Sequence, residues 1–185
     1  MVIACEETHA ALVTAHAPTD FASATDQFRR DELMHVELCE GLARELGEST
    51  AAEEPMAAPT LASDLPPLWF AAEQVVRHFC VGEALSVPLL HDAWRHATHP
   101  RVKVVLRRII TDEAAHGQFG WWFLDWARPA LDAAARAHLG RVAAGAIAEL
   151  RPVWDTEAPS WTPTFAREAL RRFVVEPLRA RGIIP

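Results

Sequence analysis

Phe28-Arg29-Arg30-Asp31-Glu32-Leu33-Met34-His35 and, further along, Thr111-Asp112-Glu113-Ala114-Ala115-His116 share one pattern, Asp-Glu-x-x-His. Both copies sit in segments whose composition and spacing read as helix. Residues three apart share a helix face, so each copy sets a carboxylate beside an imidazole. That pair suits a first-row divalent metal, and a helical bundle holding two such pairs can bind two ions. A single Glu-x-x-His carries little weight. Two copies, each behind the same Asp, decide the reading.

Working outward from the motifs, the chain is all-α. A first helix is predicted from about Val2 to His16, stopping before Pro18. Asp20 suits the N-cap of a second helix, and Gly47 suits the position just past its end. Residues 48–66, with prolines and small polar side chains, form a long connection. A third helix runs from about Pro67 to Ala97, and a fourth from Pro100 to before Pro129. Ala130 to Trp154 is a fifth. A sixth opens at Thr162-Pro163 and is bent or ended by Pro177. Tight turns make the first two helices an antiparallel pair, and likewise the third and fourth, while 48–66 is long enough to cross over between the pairs. Residues 1–127 would form the bundle, and 128–185 a helical extension packed on it in the same domain.

A two-metal site in such a bundle needs a further carboxylate from each helix that lacks the motif. Glu83 qualifies by depth: it lies fourteen residues before Ala97, and Glu113 thirteen after Pro100, about 20 Å along each helix at 1.5 Å per residue. On the first helix the choice is Glu6 or Glu7. Glu6 falls on the face marked by Val2, Ile3 and Val13, and His9 follows it by three as an extra ligand, a proton relay or a packing residue. The expected metal ligands are therefore Glu6, Glu32, His35, Glu83, Glu113 and His116. Four carboxylates converging in an apolar interior would repel and take up protons unless cations neutralised them. Asp31 and Asp112 would then accept the distal N–H of a ligating histidine and fix its orientation. Gly117 and Gly120 follow Glu113 on the same face. They are read either as empty volume for a small substrate or as close helix packing. Gly82 beside Glu83, with Pro88 beyond, points to a local loosening or bend in the third helix.

Composition narrows the function. The 185 residues carry a net charge of −7, which argues against nucleic acid as partner. No uncharged run approaches the ~18 residues of a membrane span, and the opening residues lack the pattern of a secretion signal. Three cysteines without metal-type spacing fit a reducing, cytoplasmic setting. Tyrosine is absent, so no mechanism can store a tyrosyl radical, and no phosphate-cradling glycine loop occurs. Cys39 and Cys80 are read as small core residues, and Trp121, Trp122 and Trp126 as packing residues close enough to the second motif to line a pocket.

The order Glu6, Asp31-Glu32-x-x-His35, Glu83, Asp112-Glu113-x-x-His116 resembles that of the ferritin-like di-iron carboxylate proteins. Phe28–Cys39, Cys80-Val81-Gly82-Glu83, Thr111–His116 and Ala166–Ala180 look more narrowly like bacterial ferritin-like-domain proteins of undefined activity. The resemblance implies a ferritin-like four-helix bundle and a non-haem site with two iron ions, or iron with manganese, or two manganese. It implies oxidation or oxygenation of a small organic molecule by O2, with an external electron donor and no membrane partner, and leaves homodimer formation open. The alternatives are a ferroxidase or rubrerythrin-like peroxide scavenger, and a helical structural module without catalysis. A rubredoxin-like Cys-x-x-Cys is missing, which weighs against the peroxidase form.

Overall fold

The computed structural model describes residues 1–48, 63–154 and 163–185, and these are helical throughout apart from short turns. Helix α1 spans Val2–Thr14 and α2 spans Thr19–Glu45. The turn between them closes on His16, whose φ of 51° lets the Ala17 amide reach back to the Leu12 carbonyl at 3.0 Å. Asp20 sits in the first turn of α2 rather than at its cap, where its charge still favours the helix N-terminus. Gly47, with φ 86°, ends α2, and the Glu48 amide donates to the Ala43 carbonyl at 3.0 Å.

The third rod is interrupted. It runs as α3 (Pro67–Val75), a widened π-helical stretch Val76–Glu83, and α4 (Ala84–His96). At the junction the Ala84 amide donates to the Phe79 carbonyl, five residues back. Pro88 supplies no N–H for the Ala84 carbonyl four residues back, and next to it the Ser86 hydroxyl donates to the Glu83 carbonyl at 2.9 Å. The loosening expected from Gly82 and Pro88 is thus a π-helical widening that ends on Glu83.

Helix α5 spans Pro100–Ala127, and a single turn Arg128–Ala130 leads to α6 (Ala133–Trp154). Beyond it, α7 (Pro163–Leu170) passes through a second widened turn, Arg171–Val175, into α8 (Glu176–Ala180), so Pro177 neither ends nor sharply breaks this helix.

Interhelix pairs fix the directions. Glu45–Arg101, His35–Asp112 and Asp31–His116 step in opposite senses along α2 and α5, which are antiparallel over their shared length. Gly117 lies against Glu83, Ala84 and Val87, and Gly120 against Phe79 and Cys80, so α5 also runs antiparallel to the third rod. The third rod therefore runs parallel to α2, and the end of α2 and the start of α3 lie at opposite ends of the bundle. Residues 46–66 join those two ends, the connection that the long 48–66 stretch implied; residues 49–62 of it lie outside the described residues.

The core is aromatic on one side and small on the other. Phe28, Phe79, Phe119 and Phe123 are at most 5% exposed and lie among α2, the third rod and α5. On α6, Ala135, Leu139 and Ala143 are buried, and the helix packs on the π-helical stretch. Gly140 of α6 has no room for a side chain, because a Cβ there would strike the Ile184 carbonyl of the C-terminal tail. Among the described residues, no helix is long and apolar enough to cross a membrane.

Candidate metal centre

Glu32 of α2, Glu83 at the end of the π-helical stretch, and Glu113 and His116 of α5 converge, with one donor atom of each within 4.8 Å of all the others. Glu83, Glu113 and His116 are 2%, 4% and 1% exposed. His35 joins from α2: its Nδ1 lies 3.4 Å from Glu113 Oε1 and 3.9 Å from Glu32 Oε1. His116 Nδ1 lies 3.3 Å from Glu113 Oε2 and 3.4 Å from Glu32 Oε1. Each motif glutamate thus reaches both imidazoles, the placement a bridging carboxylate needs. Glu83 stands on the opposite wall, steadied by the Ser86 hydroxyl 3.2 Å from its Oε2.

Behind the imidazoles the two aspartates cross over. His35 Nε2–H donates to Asp112 Oδ2 at 3.2 Å, and His116 Nε2–H donates to Asp31 Oδ2 at 3.4 Å. A carboxylate can only accept, so Nε2 carries the hydrogen in both rings and both Nδ1 atoms are turned to the glutamates. Each aspartate is held in turn by the residue four before it. Gln27 Nε2 donates to Asp31 Oδ1 at 2.9 Å, and Arg108 Nε donates to Asp112 Oδ2 at 2.8 Å.

The electrostatics call for a cation. Burial, then the Glu113 charge, raise the Glu83 carboxyl well above the usual carboxylate range. Burial opposes a charge on His116, yet Glu113 and Glu32 outweigh it and lift the imidazole to about 10. His35 is raised in the same way, with burial opposed by Glu113 and Asp112. Burial works against the Glu113 charge too, but His116 and His35 hold that carboxylate below its ordinary value. Without metal, protons on His116 and Glu83 offset part of the carboxylate charge.

The residues fit a metal. Glu32 Oε1, Glu83 Oε1, Glu113 Oε2 and His116 Nδ1 are buried and have no hydrogen-bond partner, since their mutual approaches lack hydrogen-bond geometry. Buried polar atoms are rarely left unpaired, and four orphans in one cluster share one simple remedy, divalent cations among them. The donor set of three carboxylates and two imidazoles is the hard-to-borderline mixture that iron and manganese accept.

Set against known proteins, the chain finds no match. No family model, no curated protein and no solved structure matches it. The site therefore rests on its own geometry.

Several expectations are corrected. Glu6 does not enter the cluster: its side chain is 56% exposed and lies 3.9 Å from Arg29. The buried face of α1 is Ala4, Cys5, Thr8, Ala11 and Leu12, whereas Val13, which marks the expected face, is 54% exposed. Depth adds to the error. Glu6 stands level with Arg29, so Glu32, three residues further along α2, is level with the first residues of α1, about 4.5 Å beyond. Glu7 is turned to His78 at 3.3 Å instead. His9 is a packing residue that donates from Nδ1 to the Ala22 carbonyl at 3.0 Å, nearly three turns of α2 from Glu32. Cys5 is 1% exposed, and burial, then Glu32 and Glu83, push its thiol up to about 12.

Gly117 and Gly120 mark close approaches rather than empty volume. A Cβ on Gly120 would come within 2.6 Å of Cys80 Sγ and 3.0 Å of Cys80 N, and one on Gly117 within 3.0 Å of Val87 Cγ2. Close packing of α5 on the third rod is their role. Gly120→Ala should accordingly lower stability by about 1–3 kcal/mol by overpacking against backbone that cannot retreat; a denaturant midpoint equal to wild type would contradict this. Trp121 lies under Arg181, whereas Trp122 and Trp126 are 56% and 40% exposed. Cys80 is buried as expected, but Cys39 is exposed. Sequence reasoning missed Gln27, Arg108, Ser86 and Phe28, whose ring centroid is 4.2 Å from that of His116. The first two could have been found at the position one turn before each motif's Asp.

Proposed function

We propose that this protein is a non-haem di-iron oxidase or oxygenase of the ferritin-like kind, acting on a small organic molecule with O2. The observation that carries the proposal is the convergence of Glu32, Glu83, Glu113 and His116, with His35 alongside, in a buried cluster with unpaired donor atoms. The helix directions, with α2 and the third rod parallel, are those of a ferritin-like bundle and support the same reading. Glu32 and Glu113 would be shared between two ions, His35 would serve one, and His116 and Glu83 the other. Reduced iron bound there supplies the electrons and open positions that O2 chemistry needs.

The chain's own residues shape that chemistry. Asp112 and Asp31 hold the imidazoles with Nδ1 inward. The phenylalanine wall of Phe28, Phe79 and Phe119 keeps water from the His116 side. A groove of ≈ 330 Å³ between α2 and α5 is lined by Leu38, Leu42, Val104 and Val105, with Arg101 and Glu45 at its rim. Leu38 follows His35 by about one turn, so the groove begins about a turn along α2 from His35. Its size suits a small molecule. In an oxygenation, one oxygen atom would enter the substrate and the other leave as water, with two electrons from an external donor.

Metal analysis of protein produced with iron tests the proposal, followed by O2 uptake in the ferrous form with apolar small molecules and labelled oxygen. Near two equivalents of iron and label in the product are expected. Gly41→Leu, which adds a side chain where nothing lies within 4 Å, should then slow product formation and leave metal content unchanged. Peroxide turnover without substrate consumption would replace this reading by the scavenger. Less than one equivalent of metal would remove both.

A further inference from the structure

The two motifs make nearly matching halves, and the residue one turn before each aspartate breaks the match. Asp31 is met by the neutral amide of Gln27, and Asp112 by the guanidinium of Arg108. We infer that the centre holds its two ions unequally, and that Arg108 is the positioning residue that keeps the His35 position the weaker one. The inference rests on reading the cluster as a two-metal centre.

A carboxylate behind a ligating imidazole draws on its N–H and makes the opposite nitrogen a better donor. Asp31 meets no cation directly: Gln27 gives it a neutral amide, and the Arg30 guanidinium stands one bond further back, 2.9 Å from Gln27 Oε1. Asp112 shares one oxygen, Oδ2, between His35 at 3.2 Å and Arg108 at 2.8 Å. The charge-assisted bond to Arg108 is the shorter, so less of the carboxylate's pull is left for His35. Arg108 also adds a positive charge on the His35 side, which opposes a second cation.

The inner donors act in the same direction. Glu83 belongs to the compact group with Glu32, Glu113 and His116, whereas His35 stands outside that group and contributes only its own nitrogen beside the two shared carboxylates. The His116 position therefore has one more protein ligand. The His35 position has the fewer ligands and lies on the groove side, where an incoming molecule would meet it. An exchangeable site on the groove side and a firmly held one behind it follow from two differences, Glu83 on the His116 side and Arg in place of Gln behind His35.

Titration of the metal-free protein with Co2+, followed by visible absorbance and calorimetry, tests this. Wild type should bind in two steps separated by at least about tenfold in affinity. Arg108→Gln should tighten the second step by about tenfold, the lower end of what outer partners of a metal site contribute, and leave the first unchanged. Arg108→Lys, which keeps the charge within reach of Asp112, should restore the wild-type separation, which loss of mere surface packing would not explain. The Arg108 side chain is 50% exposed, so none of these variants needs a new fold. Gln27→Arg should weaken the first step instead. Two equal steps in wild type, or a second step indifferent to Arg108→Gln, would overturn the inference and leave the metal centre standing. No cobalt binding at all would bring down the metal centre itself, and the inference with it.

Discussion

Glu83→Gln is expected to abolish the stabilisation conferred by metal while leaving the metal-free protein no less stable than wild type. Burial and the neighbouring Glu113 charge raise the Glu83 carboxyl well above its ordinary value. A group whose folded pKa is raised in this way opposes folding once pH exceeds its unfolded value. Gln has the shape of the protonated acid and removes that opposition. It cannot neutralise a cation, so metal affinity should fall by more than the about 100-fold lost with an outer partner. In wild type, free metal at about 100 times its Kd adds about 2.7 kcal/mol, and each kcal/mol moves Tm by about 2–4 °C at this size. A rise in Tm of about 5–10 °C on loading wild type, absent in Glu83→Gln, is the expected pair of results. A variant that still gains the full shift would show that Glu83 is not a ligand.

Metal affinity should rise with pH across neutrality, because loading must displace protons. His116 sits at about 10 without metal, so at pH 7 its Nδ1 carries a proton that a cation must expel. One displaced proton corresponds to about a tenfold gain in affinity per pH unit, continuing until pH reaches the raised value; the raised Glu83 adds to the slope where it too is protonated. The metal-free protein should respond oppositely. The raised His116 value means its contribution is complete below about 6.5 and is lost as pH climbs through about 10. The lowered Glu113 value means its contribution is present above about 4.5 and is lost in acid. Thermal unfolding across pH, with chelator and with metal, should show the alkaline decline only with chelator. Proton release into weak buffer on loading measures the displacement directly. An affinity flat between about pH 6 and 8 would mean that no proton leaves.

The motifs were legible because helical spacing is local. Asp-Glu-x-x-His fixes which side chains share a face, whatever the partner helix does, and both copies point inward. Glu83 was legible by depth, since Pro100 and Ala97 give firm reference points at one end of the bundle. Helix one offered no such reference. It is short, Val2, Ile3 and Val13 suggested a face that is in fact partly open to solvent, and a shift of one residue, about 100° around the helix, takes the inward position from Glu6 to Cys5. The glycines left two readings open because a missing side chain marks either a void or a close approach, and only the neighbouring backbone tells which.

The sequence by itself determined the helices, the long connection, and five side chains able to bind metal, because caps, prolines and three-residue spacing act within a turn or two. Tertiary structure alone decided that Asp31 serves His116 and Asp112 serves His35, that Glu6 turns to solvent, and that Arg108 stands behind only one imidazole. Those outcomes depend on the register between helices, which is set by packing across the bundle and leaves no trace at any fixed spacing along the chain.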